Sequence, residues 1–354
     1  MNLVLRSNRL RRIAQKNGKY LIANFSKIFS KINISLSDVV GDIFRIFTSH
    51  KPERNRIDNG IKELAVQFDI YKHIVFDYAS ICSKKLGGDW RKYNNLLTVQ
   101  IAVCNFHCWY CYVPDELKSG SKEYSQYMSA EEILDTFLSI RNGNEDKYNI
   151  LRISGGEPFL VPDLVLEILE LVEKRDLSDM VCIWSETNLS PFIKNDQGEI
   201  LAQSWLKESN RSLQEFSNFK NFVLHPCLHG TTPTNLEEVT LVKGNYYTEL
   251  LEALKVLVDY KIDIYPTFSS NTCTVDGIKD IFYRLKSINE KLPLRVALIE
   301  YHLDYEPIDL RLSRSRRKGY LNGKRGLISR WDELLKQHYG VGYAQIPRSQ
   351  VVLW

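Results

Sequence analysis

The chain has 354 residues, 44% of them hydrophobic and 25% charged, with a formal net charge of +4. Those values exclude bulk disorder and describe a globular protein large enough for a sizeable core. The charge is too small to imply nucleic acid by itself, and no apolar run of about 18 residues is present to cross a membrane. Residues 1–92 read as a helical N-terminal extension. Its first 37 residues carry eight Lys or Arg and no acid. Organellar transit peptides share that composition with basic amphipathic helices packed on a domain. Leu21, Phe25, Ile28, Phe29 and Ile32 follow helical spacing and give the segment a face to bury. Lys84-Lys85-Leu86-Gly87-Gly88 reads as a loop.

From Leu96 the character changes. Leu96 to Val103 is an apolar run that predicts a buried strand. Ser129 precedes Glu132 by three positions, a capping-box signal for the helix carrying Ile133, Phe137 and Ile140. Alternation continues with a strand at Ile150 to Ile153, a helix from Val161 to Val172 and a strand at Met180 to Trp184. Next come a strand at Phe222 to Leu228, a helix from Tyr246 to Val258 and a strand at Ile262 to Phe268. A helix around Ile278 to Leu285 and a strand at Arg295 to Tyr301 complete the pattern. Strands alternating with helices predict an α/β fold, a partial (β/α)6 TIM-type barrel over residues 93–304. Residues 305–354 form a basic C-terminal extension, in which Arg311 to Arg325 holds seven basic residues and no acid. That run reads as a solvated loop, a docking face for an acidic electron donor or a phosphate-binding patch.

Seven cysteines are present, an odd number in a chain too large to need disulfide staples. Cys104, Cys108 and Cys111 crowd into a C-x3-C-x2-C run at the end of the first barrel strand. Thiolates suit iron–sulfur clusters and zinc. A structural zinc site wants four protein ligands, so His107 would have to complete it, and an electron-transfer [4Fe–4S] cluster also wants four cysteines. Three thiolates on a four-iron cluster leave one iron open to a small molecule.

With this spacing and context, the chain resembles the radical S-adenosylmethionine superfamily over roughly residues 95–303. The resemblance implies a [4Fe–4S] cluster on Cys104, Cys108 and Cys111, with S-adenosyl-L-methionine as the second cofactor. It implies reductive cleavage of that cofactor to a 5′-deoxyadenosyl radical that takes hydrogen from a substrate. It also implies an external one-electron donor of flavodoxin or ferredoxin type and a cytoplasmic location. Tyr110, the aromatic before the third cysteine, is implied to lie against the adenine.

Ser154-Gly155-Gly156-Glu157-Pro158 follows the second strand. Gly155 and Gly156 remove side chains so that a ligand can approach the backbone, and Glu157 offers a carboxylate to an ammonium group. The resemblance assigns the loop through Pro158 to the methionyl amino group. A bulky residue at position 156 is then expected to weaken cofactor binding with iron content unchanged. Ser185, Thr187 and Asn188 can bond a carboxylate or ribose hydroxyl, or cap a helix. They look like the Thr-Asn segment of glycyl-radical-enzyme activases. Where the activase pattern is Asp-Leu-Lys-Gly-Thr, this chain has Cys227-Leu228-His229-Gly230-Thr231. His225 and His229 offer ring nitrogens in place of the missing Asp and Lys.

Pro266, Glu300 and His302 are expected near the barrel mouth. Cys82 and Cys182 read as buried apolar thiols. Cys227 and Cys273 follow strands and are candidate hydrogen-atom donors to a substrate radical. The substrate reading stays open among a small molecule, a peptide and a glycine of a partner protein. A tRNA- or RNA-modifying enzyme and a zinc-bound interaction protein are the alternatives.

Overall fold

The computed structural model describes residues 2–25, 39–40, 44–48, 80–87, 95–145, 148–269, 273–299, 307–308, 310–311 and 324–354. The strands in chain order are β1 Gln15–Lys16, β2 Lys19–Ala23, β3 Val39–Val40, β4 Phe44–Thr48, β5 Asn95–Ile101 and β6 Ser125–Met128. They continue as β7 Tyr148–Gly155, β8 Cys182–Thr187, β9 Phe222–Leu228, β10 Thr267–Ser269 and β11 Ala297–Ile299. β5, β7, β8, β9, β10 and β11 lie side by side in that order, each parallel to the next. This is the parallel α/β sheet expected from the alternation, open rather than closed.

The open side of β5 is covered by the preceding chain. β4 runs antiparallel to β5 from Phe44↔Val99 to Thr48↔Asn95, and β2 pairs at Ile22↔Ile101. Here the helical N-terminal extension needs correction. Residues 3–14 are helical, but Leu21 sits in β2 and is buried in the sheet. Sheet pairing satisfies the backbone of an otherwise open edge, which an isolated helix cannot do. Ile28, Phe29 and Ile32 lie outside the described residues. A second correction concerns Lys84 to Leu86, read as loop: residues 80–86 are helical, and Gly87 follows at φ +74°.

The helices pack their apolar faces on the outside of the sheet. Ser129 and Glu132 form the expected capping box at the start of Ala130–Arg141. Pro162–Lys174 buries Leu164, Val165, Ile168, Leu169 and Val172. Each such side chain contributes at most about 1.5–3 kcal/mol. The irregular stretch after β8 contains the helix Leu201–Lys207 and a 3-10 turn at Leu213–Asn218. Inside the sheet, a second apolar cluster closes the N-terminal end of the strands. Leu96, Ile150, Cys182, Trp184, Val223 and Tyr265 meet Ile81 and Cys82 of the 80–86 helix. Lys85 bonds Asp263 at 2.6 Å, and Ser80 reaches Ser349 at 2.8 Å. Cys82 and Cys182 are the expected buried thiols, 3.2 Å apart. Among the described residues no helix is long and apolar enough to cross a membrane.

Candidate active site

The cysteine loop leaves the C-terminal end of β5 and is gripped from two sides. On one side, Asn105 donates to Ser7 at 2.8 Å and to Ser190 at 2.6 Å, and Arg6 contacts His107. On the other, the backbone N–H groups of His107 and Trp109 donate to Thr240 and Val239, each at 3.1 Å. Cys111 N–H closes a turn onto Cys108 O at 3.2 Å.

The three thiols share one electrostatic neighbourhood. Burial pushes the Cys104 thiol up to about 11. Burial also raises Cys108 well above its usual value, and the charges of Cys111 and Cys104 add to the effect. Buried Lys118 stands in the same field. Burial works against its charge, but Cys111 and Cys104 hold its ammonium above the usual range. Asn188 Nδ2 lies 4.0 Å from Cys104 Sγ, and His229 Nδ1 lies 3.8 Å from Cys108 Sγ. Three neighbouring thiols, with a lysine, an amide and an imidazole around them, fit a cationic iron cluster. Among the described residues no three His, Cys, Asp or Glu side chains close around one point that a single ion could occupy. A single zinc ion needs its ligands around one point, whereas a cluster distributes its thiolates over separate irons.

The Gly-Gly-Glu-Pro loop packs beside the cysteines through its backbone. Gly156 N–H donates to Ile101 O and Glu157 N–H to Val103 O, both at 2.8 Å. A Cβ on Gly156 would lie 2.5 Å from Val103 C and 2.6 Å from Ile101 O, and closer still to Val103 O. Gly155 has φ +90°, and a Cβ there would meet Gln100 Cα at 2.9 Å. Both glycines are required by the close approach of β5 and of Val103, which directly follows it. Glu157 is engaged within the chain. Its carboxylate accepts from Phe159 N–H (3.0 Å), Thr187 Oγ1–H (2.9 Å) and Asn188 N–H (2.6 Å), stitching the loop to the end of β8. Burial raises that acid to about 7 despite these bonds. Pro158 starts the 3-10 turn Pro158–Leu160 and is buried.

The remaining expected residues divide. Asn188 bonds Asn105 at 2.8 Å and so reaches the cysteine loop, while its Oδ1 also accepts from Ser190 N–H at 3.0 Å as a cap. Thr187 joins Glu157 and accepts from Leu189 N–H at 3.0 Å. Ser185 is fully buried, and its hydroxyl faces Ile153 O at 3.4 Å, so it does not line the interior. Strand alternation instead turns its neighbour Glu186 inward. Tyr110 Oη contacts His229 Nδ1, and Phe106 stands edge-on to the same ring at 5.2 Å. Burial drives His229 down to about 4, so the ring is neutral, and its Nε2 has no hydrogen-bond partner among the described residues.

Cys227 faces the interior, where burial and then Glu186 raise its thiol. Cys273 is not beside it: it packs in the outer core cluster that also holds Tyr247. Pro266 O accepts from Ala297 N–H at 2.8 Å. Glu300, His302 and residues 312–323 of the basic run lie outside the described residues.

One constellation was not singled out in the sequence. Arg152 Nε donates to Glu186 Oε1 at 2.8 Å, a second guanidinium nitrogen reaches the same oxygen, and Ser154 donates to Glu186 Oε2 at 2.5 Å. Burial would raise the Glu186 acid, but Arg152 outweighs it and holds the carboxyl below its usual range. Glu186 pairs in register with His225, which burial lowers to about 4. His225 Nδ1 and Gln100 Oε1 are buried without hydrogen-bond partners among the described residues. The signal was present as polar residues two apart in apolar strands, Arg152 with Ser154 and His225 with Cys227.

Residues 99–281, more than half of the chain, match the family model of the Radical SAM superfamily. The chain belongs to the radical SAM superfamily. S-adenosyl-L-methionine and a [4Fe–4S] cluster, the cofactors expected above, are features of that superfamily. A probable GTP 3′,8-cyclase of Archaeoglobus fulgidus is 28% identical over 181 residues, covering 46% of this chain and 56% of that protein. This radical SAM chain thus spans little more than half the length of the curated relative it matches. Among solved structures, Streptococcus suis SuiB bound to its precursor peptide SuiA has a TM-score of 0.44 at 13% identity, over 89% of this chain and 58% of that one. TYW1 with a lysine–pyruvate adduct has a TM-score of 0.40 at 14% identity, over 79% and 90%. The AdoMet-bound anSMEcpe has a TM-score of 0.38 at 18% identity, over 68% and 65%.

Proposed function

We propose that this radical SAM enzyme holds a [4Fe–4S] cluster on Cys104, Cys108 and Cys111 and acts on a polar substrate held inside the sheet. The cluster, reduced by an external one-electron donor of flavodoxin or ferredoxin type, supplies reductive cleavage of S-adenosylmethionine to a 5′-deoxyadenosyl radical, which abstracts hydrogen from the substrate. The observation that carries the reading is three thiols on one strand-end loop, Cys108 buried and Cys104 and Cys111 half-buried, beside a polar interior. Asn188 and His229 orient the thiolates from outside, and Lys118 offsets their charge. The 80–86 helix and the apolar cluster above it keep water from the closed end of the strands.

The interior also bears on the substrate. Arg152 and Glu186 compensate each other, so a fully charged group would find no unused counter-charge there. Gln100 Oε1 and His225 Nδ1 have unused bonding capacity, which suits uncharged hydroxyl, amine or amide groups of a small molecule or peptide. One relative bears the name of a GTP cyclase, and the triphosphate of such a nucleotide would require cations beyond the Arg152–Glu186 pair. A partner-protein glycine, the activase-like reading, is a peptide substrate of the same polarity. Cys227 is the thiol placed to return a hydrogen atom to a substrate radical.

The test is anaerobic reconstitution followed by assay of 5′-deoxyadenosine release under dithionite. Wild type should bind four irons per cluster and cleave the cofactor. Alanine at Cys104, Cys108 or Cys111 should abolish cleavage. Full turnover in any of these variants removes that residue from the ligand set. With a substrate identified, normal product formation by Cys227→Ala would end the donor role for Cys227.

A further inference from the structure

We propose that the outer face of the N-terminal helix is the docking surface for an acidic one-electron carrier protein. The inference rests on the cluster reading above and adds where the electron enters. The helix Leu3–Ala14 lies directly on the cysteine loop. Its buried side carries Leu3, Ser7 and Ala14, and Ser7 bonds Asn105 between the first two cysteines. Arg6 contacts His107 in the same loop, and Asn8 accepts from Trp205 Nε1–H at 2.9 Å. Arg11 is used up on Glu208 at 2.8 Å. These contacts fix the helix rigidly over the loop.

The other side is positive and has no ion-pair partner among the described residues. Leu5, Arg9 and Arg12 are exposed, at spacings of four and three residues that place them along one face of the helix, and Lys16 is exposed just beyond its end. Residues 2–25 contain no Asp or Glu. Leu5, 67% exposed, adds an apolar anchor at the end of the basic stripe, the composition of an interface core beside a charged rim. A carrier on this face would stand about one helix diameter, roughly 10–12 Å, from the cysteine loop. Exposed His107 at the flank of the helix offers a closer approach.

The surroundings orient the partner. On the opposite flank of the loop, Glu237 and Glu238 are exposed and would repel an acidic protein. Glu116 is exposed nearby, while Asp115 is neutralised by Lys118 at 3.1 Å and Arg311 at 2.9 Å. The stripe carries no exposed aromatic on which bases could stack, as RNA binding would favour, and one leucine is too little to insert into a lipid surface.

The test uses the reconstituted holoenzyme and the double variant Arg9→Glu/Arg12→Glu, with reduced flavodoxin as one electron source and dithionite as the other. Electrostatic steering changes association by ~10- to 1,000-fold. Flavodoxin-driven 5′-deoxyadenosine release at low salt should fall about tenfold or more, and its salt dependence should flatten. Dithionite-driven release and iron content should stay at the wild-type level. Leu5→Asp should weaken the flavodoxin rate with the same sparing of the dithionite rate. Unchanged flavodoxin kinetics in both variants overturns the docking surface. So does an equal loss with dithionite, which would mark a structural role for the helix. Loss of tRNA or anionic-vesicle binding with intact flavodoxin kinetics also overturns it, in favour of those partners. Wild-type protein that takes up no iron would instead overturn the cluster reading itself.

Discussion

Replacing Gly156 with alanine tests whether the Gly-Gly-Glu-Pro loop serves the ligand or the fold. The new methyl would stand 2.5 Å from Val103 C and 2.6 Å from Ile101 O, against an ordinary carbon–oxygen contact of about 3.3–3.6 Å. Both neighbours are backbone of the segment that delivers Cys104, so neither can rotate away. Relief requires the loop to lift by about 1 Å or more, which breaks the bonds from Gly156 N–H to Ile101 O and from Glu157 N–H to Val103 O. Two hydrogen bonds at ~1 kcal/mol each, with overpacking of ~1–3 kcal/mol, give a loss of about 3–5 kcal/mol. Because Val103 directly precedes Cys104, cluster retention should fall together with stability. The assay is urea unfolding of the apoprotein, iron content after anaerobic reconstitution, and cofactor binding. A variant that unfolds at the wild-type midpoint, keeps its iron and loses only cofactor binding would refute the backbone argument and restore the ligand-space explanation.

Glu157 makes stability depend on pH. Its folded acid titrates at about 7 and its ordinary value is 4.5, so the folded chain retains a proton that the unfolded chain has released. Its stabilisation is full below pH 4.5, falls as pH rises to about 7, and levels off above. The drop is about 3 kcal/mol. Urea midpoints at pH 5 and pH 8 should differ more in wild type than in Glu157→Gln, and equal differences would refute the assignment. Arg152→Met should cost about 3–5 kcal/mol by leaving Glu186 buried and uncompensated, whereas Arg152→Met/Glu186→Leu should recover most of that loss. Additive losses in this cycle would mean that the two side chains are not coupled.

How much was readable along the chain depends on how local each signal is. The cysteine spacing, the capping box of Ser129 and Glu132 and the strand–helix alternation all lie within short stretches, and each reappears where expected. The glycines were legible as glycines, but their packing was not, because the atoms that exclude a Cβ belong to β5 and Val103, more than 50 residues earlier in the chain. Ser185 was chosen over Glu186 for its hydroxyl. The parity of β8, which decides which of them faces inward, depends on pairing with β7 and β9. Leu21 fits a helical spacing equally well as a strand, and pairing of β2 with β6 at Leu21↔Tyr127 and with β5 at Ile22↔Ile101 selects the strand.

The sequence by itself determined the superfamily, because cysteine number and spacing are set by consecutive residues and need no distant partner. It also determined the fold class, because hydrophobic period is a local property. Tertiary structure alone decided the wiring around the cysteines. Glu157 meets Thr187 and Asn188 from 30 residues away, Ser7 and Arg6 meet the cysteine loop from about 100 residues away, and Arg152 finds Glu186 across a strand pair. Those partners are chosen by which strands lie adjacent and in what register, and that choice follows from burying the whole set of apolar faces at once.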